Sequence, residues 1–356
     1  ILGSVQQQML ADKSTTWPSW EIQYNDVAAS PIAFVDENAA IKLVENGPLR
    51  KTFRVSRSKN GSSFVQYIQM NALTNRIDCI NEVDWQTRKT MLKVNFAFMF
   101  GNPMATYDLS LGTIQRGNRS DNLYEVQGHQ WADVTTPNQT FGVSILNDCK
   151  YGWDKPNDNN LRLTLIHTPE VGSNYSYQGE QDLGVNHFTY SIFPHDVTWN
   201  EATQMEASRL NQPLLGFTTN KHQGDLGKEF GFIKCNSNQI SIKALKKAEL
   251  SDELVVRVYE WTGKDANQVK LSFPADIVSA REINGVANSP ITNVVKSLQT
   301  TSVALPYNAD LMSSDSKRND ATTGINYAFP SEQVPDKVDA EGVSFVMGSR
   351  GDGQNN

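Results

Sequence analysis

The stretch SILNDCKYGWD, Ser144 to Asp154, gathers more reactive side chains than a turn requires. Ser144, Ile145 and Leu146 close an apolar, strand-like run, and Asn147, Asp148, Cys149, Lys150, Tyr151 and Gly152 follow as one bend. A tight hairpin needs only residues such as Asn and Gly, which tolerate positive φ. Here a carboxylate, a thiol, an ammonium and a phenol accompany them, a set able to donate and accept hydrogen bonds, stack on a ligand ring or carry a proton.

Elsewhere the chemistry-bearing residues are scattered. His129, His167, His187, His195 and His222 form no HExxH, His-x-His or His-x-Asp pair, so no local metal signature exists. The G-x-S-x-G nucleophile elbow, the P-loop and GxGxxG are all missing. GSRGDG near the end is rich in glycine but lacks the strand-to-helix context that cradles phosphate. Cys79, Cys149 and Cys235 are odd in number and far apart, which suggests neither a disulfide framework nor a CxxC site. Asp78, Glu82 and Asp84 share parity along one strand-like run and read as a solvated face. Trp131, Tyr151, Trp153, Tyr175 and Tyr177 cluster in sequence around the bend and the loop after HTP. Exposed rings beside Asp, Asn and Lys suit sugars; buried rings would be core.

The elements that must position these residues are strands. KTFRVSRS breaks at KNGSS, where Asn60-Gly61 signals a two-residue turn, and FVQYIQM resumes from Phe64, giving a hairpin. RIDCINEVDW, MLKVNFAFMF, ATYDLSL, LYEVQ, FGVSIL and LRLTLIHTP follow; in the last, Leu161, Leu163 and Leu165 share one face and Arg162 and Thr164 the other. A second series covers Phe188–Phe193, Gln239–Lys243, Leu254–Trp261 and Val269–Phe273. Between them one short helix is expected, with Thr198 and Glu201 at capping-box spacing, Trp199, Ala202 and Met205 at helical intervals and Pro213 beyond its end. No fixed repeat or heptad appears, and serial strands imply antiparallel sheets.

The 356 residues allow more than one lobe. The expected domains are a large sandwich over 1–230, a smaller β-sheet lobe over 231–308, and 309–356 as a linker and the start of a further, truncated β segment, in which Phe345, Val346 and Met347 read as a strand. A net charge of −7 disfavours a nucleic-acid partner. No apolar run approaches the length that spans a bilayer, so the chain reads as soluble with no membrane partner. Its first residue is Ile rather than Met, which suggests processing or an excised fragment.

The string GHQWADVTTPNQTFGVSILNDCKYGWD resembles the C-terminal β region of glycoside hydrolase family 38, the zinc-dependent α-mannosidases, most closely the bacterial and cytosolic branch. ENGPLRKTFRV, RIDCINEVDW and LKVNFAF upstream, and LRLTLIHTP, HFTYSIFPH, LNQPL, IKALKKAE and VVRVYEWTG downstream, extend the resemblance over about Trp17 to Tyr307. It implies an all-β fold: a large antiparallel β-sandwich of galactose mutarotase-like supersandwich type, with a smaller β lobe and one short helix. It implies that zinc, its ligands, the nucleophile and the acid/base belong to an N-terminal catalytic domain with no counterpart here, so that this portion holds no cofactor or catalytic residue and is inactive alone. The α-mannoside and that missing domain are the implied partners, in bacterial cytoplasm or periplasm. Asp148, Lys150 and Tyr151 would then complete the sugar pocket from the non-catalytic side, with Asn147 shaping the turn, while Cys149 would point back into the sandwich as a small apolar residue. An independent carbohydrate-binding or mutarotase-like sandwich is the alternative, although no His and Glu constellation nominates a mutarotase.

Overall fold

The computed structural model describes residues 2–13, 16–109, 111–224, 229–248, 253–274, 277, 280–283, 300–306 and 324–329. The strand-like reading of Phe345–Met347 lies outside them. The chain divides into two compact units, Ile1–Ser110 with Ile114–Leu214, and Leu111–Thr113 with Leu215–Asn356.

The first unit holds, in chain order, β1 (Leu2–Ala11), α1 (Tyr24–Ala28), β2 (Ala33–Phe34), β3 (Ala40–Asn46), β4 (Arg50–Lys59), β5 (Ser62–Asn71), β6 (Ile77–Trp85), β7 (Thr90–Phe98) and β8 (Ala105–Asp108). It continues with β9 (Thr113–Arg116), β10 (Val126–Gln127), β11 (Trp131–Thr135), β12 (Phe141–Asn147), β13 (Gly152–Asn157), β14 (Asn160–Thr168), a 3-10 segment (Ser173–Glu180), β15 (Gly184–Asp196) and α2 (Glu201–Asn211). One sheet has six strands in the order β10-β13-β14-β7-β1-β2; the other has nine, β3-β4-β5-β6-β15-β12-β11-β8-β9. Every pairing is antiparallel.

The two sheets face one another across a single apolar core. Met9, Leu92, Val94, Phe96, Leu161 and Leu163 come from the six-stranded sheet, and Phe64, Cys79, Val83, Val143, Ile145 and Phe188 from the nine-stranded one. Phe96 meets Tyr190 edge-on at 5.5 Å, and Trp85 Nε1 donates across the gap to Thr168 Oγ1 at 3.0 Å. Interdigitation of side chains from two inner faces is what makes such a pair a sandwich. The Asn60-Gly61 turn between β4 and β5 has positive φ at both residues, 49° and 81°, as a two-residue hairpin of right-handed twist demands.

Leu161, Leu163 and Leu165 all enter the core from β14, and a register shift between Thr164 and Ile166 adds Ile166 to them. Arg162, on the face opposite the leucines, is buried as well: its guanidinium donates to Asp154 and to the Val27 carbonyl of α1. Asp154 sits between Arg162 Nη2 at 2.6 Å, Lys93 Nζ at 3.0 Å and Arg119 Nη1 at 3.1 Å, and Lys93 reaches Glu125 at 2.5 Å. Burial alone would favour a neutral Asp154, but Lys93 and Arg162 hold its carboxyl below the usual range.

Asp78 is likewise buried, accepting from Arg76 and from Ser191 Oγ, whereas Glu82 is exposed. The helix foreseen before Pro213 is α2, and its N-cap is Asn200, whose side chain accepts from Ala202 N at 2.8 Å, rather than Thr198. It lies on the outer face of the nine-stranded sheet over Trp131, Leu146 and Phe193. Two further short helical elements, α1 and the 3-10 segment, accompany it.

The second unit contains β16 (Lys234–Cys235), β17 (Ile240–Lys247), β18 (Glu253–Glu260), β19 (Ala266–Ser272), β20 (Arg281–Ile283), β21 (Thr300–Pro306) and β22 (Gly324–Phe329). These form a sheet β16-β19-β22 and a sheet β17-β18-β21-β20 around Ile240, Val256, Val258, Val269 and Leu271.

Candidate functional site

The bend links β12 in the nine-stranded sheet to β13 in the six-stranded one, so it crosses the edge of the sandwich. Asn147 is its keystone. As the last residue of β12 it is 1% exposed; its Nδ2 donates to the His129 carbonyl at 2.7 Å and its Oδ1 accepts from Lys150 N at 2.8 Å. The second bond is an Asx-type closure of the turn, and the first ties the turn to the chain ahead of β11. From outside, Asn211 at the end of α2 donates to the Asn147 carbonyl at 2.9 Å.

Asp148 extends the β12–β15 pairing by one position: its N–H donates to the Thr189 carbonyl at 3.2 Å, and its Oδ2 accepts from Thr189 N at 2.9 Å. Its Oδ1 is buried. Cys149 is exposed, which corrects the expectation that it points into the sandwich; it sits inside the turn that the Asn147–Lys150 bond closes, beyond the end of β12. Although the residue is exposed overall, partial desolvation of its thiol, a hydrogen bond with the Asp148 side chain and the charge of that carboxylate push Cys149 up to about 12. Lys150 lays its ammonium over the Phe188 ring, 5.2 Å from the centroid, a cation–π contact.

Tyr151 is 51% exposed, with its ring 5.8 Å from that of His129 and inclined by 55°. Its carbonyl accepts from Gly128 N at 3.0 Å. Gly152 then enters β13, and a Cβ there would stand 2.5 Å from Glu125 Oε1, so any larger residue would displace that carboxylate. The four expected residues therefore share one bend but differ in office. Asn147 builds the turn, Asp148 clamps it to β15, and Lys150 and Tyr151 present a cation and an exposed ring. His129, Phe188, Thr189 and Asn211 complete the arrangement; only contact across strands brings them here.

The other candidates disperse. Trp131 and Trp153 are fully buried, the first donating to Gln204 Oε1 at 3.0 Å and the second to the Gly128 carbonyl at 3.2 Å. His195 pairs with buried Asp133 at 2.7 Å, His167 with Asp12 at 2.5 Å, and His187 and His222 are exposed. Among the described residues no three His, Cys, Asp or Glu side chains converge to hold a metal ion, and no helix is long and apolar enough to cross a membrane. The bend can orient a hydroxylated ligand through stacking and hydrogen bonding.

Sequence profiles described as the glycosyl hydrolases family 38 C-terminal domain and the glycosyl hydrolases family 38 C-terminal beta sandwich domain match residues 2–171 and 239–309. A profile for an AziU2-like beta-sandwich domain matches 299–356. Alpha-mannosidase G of Dictyostelium discoideum is 28% identical over 289 residues, 77% of this chain and 26% of that protein. Alpha-mannosidase 2C1 of Mus musculus is 27% identical over 259 residues, 69% of this chain and 24% of that protein. The chain thus spans about a quarter of the length of these curated relatives. The crystal structure of an alpha-mannosidase from Enterococcus faecalis is similar in fold, with a TM-score of 0.68 over 85% of this chain and 38% of that one, at 16% identity.

Proposed function

This chain carries the C-terminal β domains of glycosyl hydrolase family 38, and from that premise we propose that it is the non-catalytic β portion of a zinc-dependent, retaining α-mannosidase. Its bend completes the sugar pocket of the longer enzyme. The observation that carries this reading is the half-exposed Tyr151 ring, set against His129 on a turn that Asn147 locks. A rigid aromatic face on a polar turn is what a pyranose needs: its C–H face stacks while its hydroxyls find partners.

The described residues offer no cluster fit for zinc, so the metal and the two carboxylates of glycoside hydrolysis belong, on this reading, to a catalytic domain of the same longer chain. The names of the curated relatives, all alpha-mannosidases, support the mannoside as substrate. The residues of this chain act by positioning: Tyr151 stacks, Lys150 donates to a hydroxyl, and Asn147 and Asp148 keep both in place. Fixing the sugar in this way raises the rate by restricting its orientation.

The test is assay of the purified 356-residue chain with an aryl α-mannoside, with and without added zinc. No release is expected in either condition, and metal analysis should find no stoichiometric zinc. Zinc-dependent turnover by this chain would overturn the proposal.

A further inference from the structure

A second group of rings lies away from the bend. The segment after β1 carries Trp17 and Trp20, 44% and 82% exposed, and the 3-10 segment after β14 carries Tyr175 and Tyr177, the latter 71% exposed. Trp17 and Trp20 stack nearly parallel, 5.6 Å apart and inclined by 13°. Trp17 also meets Tyr175 at 5.8 Å, and Tyr175 meets Tyr177 at 6.4 Å. Four aromatic rings thus run in a chain across the surface, and a contiguous exposed apolar patch of this kind marks a place of contact.

Side-chain hydrogen bonds tie the two segments together. Ser19 N donates to Gln178 Oε1 at 3.1 Å, and Ser19 Oγ to Gln181 Oε1 at 2.6 Å, lacing the two segments together. Gln181 Nε2 donates to the His167 carbonyl at 2.8 Å, and the His167 ring bridges the Pro18 carbonyl at 2.9 Å and Asp12 at 2.5 Å. Pro18 and Asp12 are buried. The two segments are therefore anchored to the sandwich while their indoles and phenols are turned outward, which lowers the ordering cost of binding.

We propose that Trp17, Trp20, Tyr175 and Tyr177 form a stacking platform for the pyranose rings of an oligosaccharide, distinct from the bend. The cluster presents two indole and two phenol rings, amphipathic faces that suit a hydroxylated ligand. Electron-rich ring faces attract the polarised C–H bonds of a sugar, and phenols supply amphipathic contact area at low entropic cost. β14 leads out to Tyr175 and pairs antiparallel with β13, which begins at the bend, so bend and platform lie toward the same end of the sandwich. This deepens the proposed function and rests on it: the bend would take the terminal mannose, and the platform would take units farther along the same chain.

The experiment is titration of the 356-residue chain with mannotriose, read by calorimetry and by tryptophan fluorescence, alongside Trp20→Ala and Tyr177→Ala. Both side chains are largely exposed, so unchanged thermal midpoints should certify the fold of the variants. Binding by the parent chain with a fluorescence change, and an affinity loss of about tenfold in each variant, are expected; that is the size seen when a central aromatic contact is truncated. Equal binding in both variants, or no binding by the parent chain, overturns the platform. So does protection of Trp20 from an aqueous quencher in the sugar-free longer enzyme, since the rest of that chain would then cover it. If Tyr151→Ala still depresses mannoside turnover in the longer enzyme in any of those cases, the platform fails and the bend's role stands.

Discussion

Changing Asn147 to aspartate preserves the outline of the side chain and replaces one donor by an acceptor. The amide donates to the His129 carbonyl at 2.7 Å and accepts from Lys150 N at 2.8 Å, in a residue that is 1% exposed. Asn147→Asp keeps the second bond and sets a carboxylate oxygen against a carbonyl oxygen. One hydrogen bond, worth about 1 kcal/mol, is lost, and an unpaired acceptor is left in a poorly hydrated site at a cost of about 1–3 kcal/mol more. Asn147→Ala forfeits both bonds, about 2 kcal/mol, without the repulsion. Urea unfolding followed by tryptophan fluorescence measures the difference, because six of the seven tryptophans, all except Trp261, belong to the first unit. At neutral pH Asn147→Asp should lose about 2–4 kcal/mol with an unchanged dependence on denaturant. Its deficit should shrink on acidification, because a protonated carboxyl can donate to the His129 carbonyl: the folded variant holds that proton more tightly than the unfolded chain does. A variant within about 0.5 kcal/mol of the parent at neutral pH would refute the assignment of Asn147 as the turn's keystone.

Two further outcomes test the scaffold. Asp154→Asn leaves Lys93 and Arg162 without their shared counter-charge in a buried setting and should cost about 3–5 kcal/mol in the same unfolding assay, against less than about 1 kcal/mol if the cluster is dispensable. For His167, burial works against the charged ring, but the Asp12 carboxylate outweighs it and raises the ring above its ordinary value, helped by the Pro18 carbonyl and Asp182. A raised folded value means stability that is fully present below the unfolded value of about 6.5 and lost as pH climbs through the folded one. The parent should therefore exceed His167→Gln in thermal midpoint by more at pH 6 than at pH 9, and a gap that is constant or widens with pH would contradict this linkage.

The parts of the fold legible in the sequence were those fixed locally. Asn60-Gly61 announced its hairpin because only such residues take positive φ at both turn positions. Leu161 and Leu163 announced the core face of β14 through the period of the strand. Where a partner far along the chain decides the environment, the pattern misled. Asp78 read as solvated by parity, yet Arg76 and Ser191 enclose it, and Arg162, opposite the leucines, is covered by Asp154 and α1. β1 hid behind Gln6, Gln7 and Gln8, polar residues in a strand paired along its length with β7, where Gln7 reaches Asn81.

At the bend, the clustering of Asn147, Asp148, Lys150 and Tyr151 was visible in one glance at the sequence. Their division of labour was not, since it depends on Thr189, Phe188, His129 and Asn211. Composition likewise could not tell Trp131 and Trp153, both core, from Trp17 and Trp20. The platform depends on Ser19 meeting Gln178 across 159 residues of chain.

The central claim is that the bend orients substrate in a longer α-mannosidase. Its most direct test is kcat/KM for an aryl α-mannoside, measured in that longer enzyme with Lys150→Ala and Tyr151→Ala. Loss of the Lys150 hydrogen bond to the sugar, or of the Tyr151 stacking face, should lower kcat/KM by about tenfold, with zinc content unchanged. Parental kcat/KM in both variants would contradict the account.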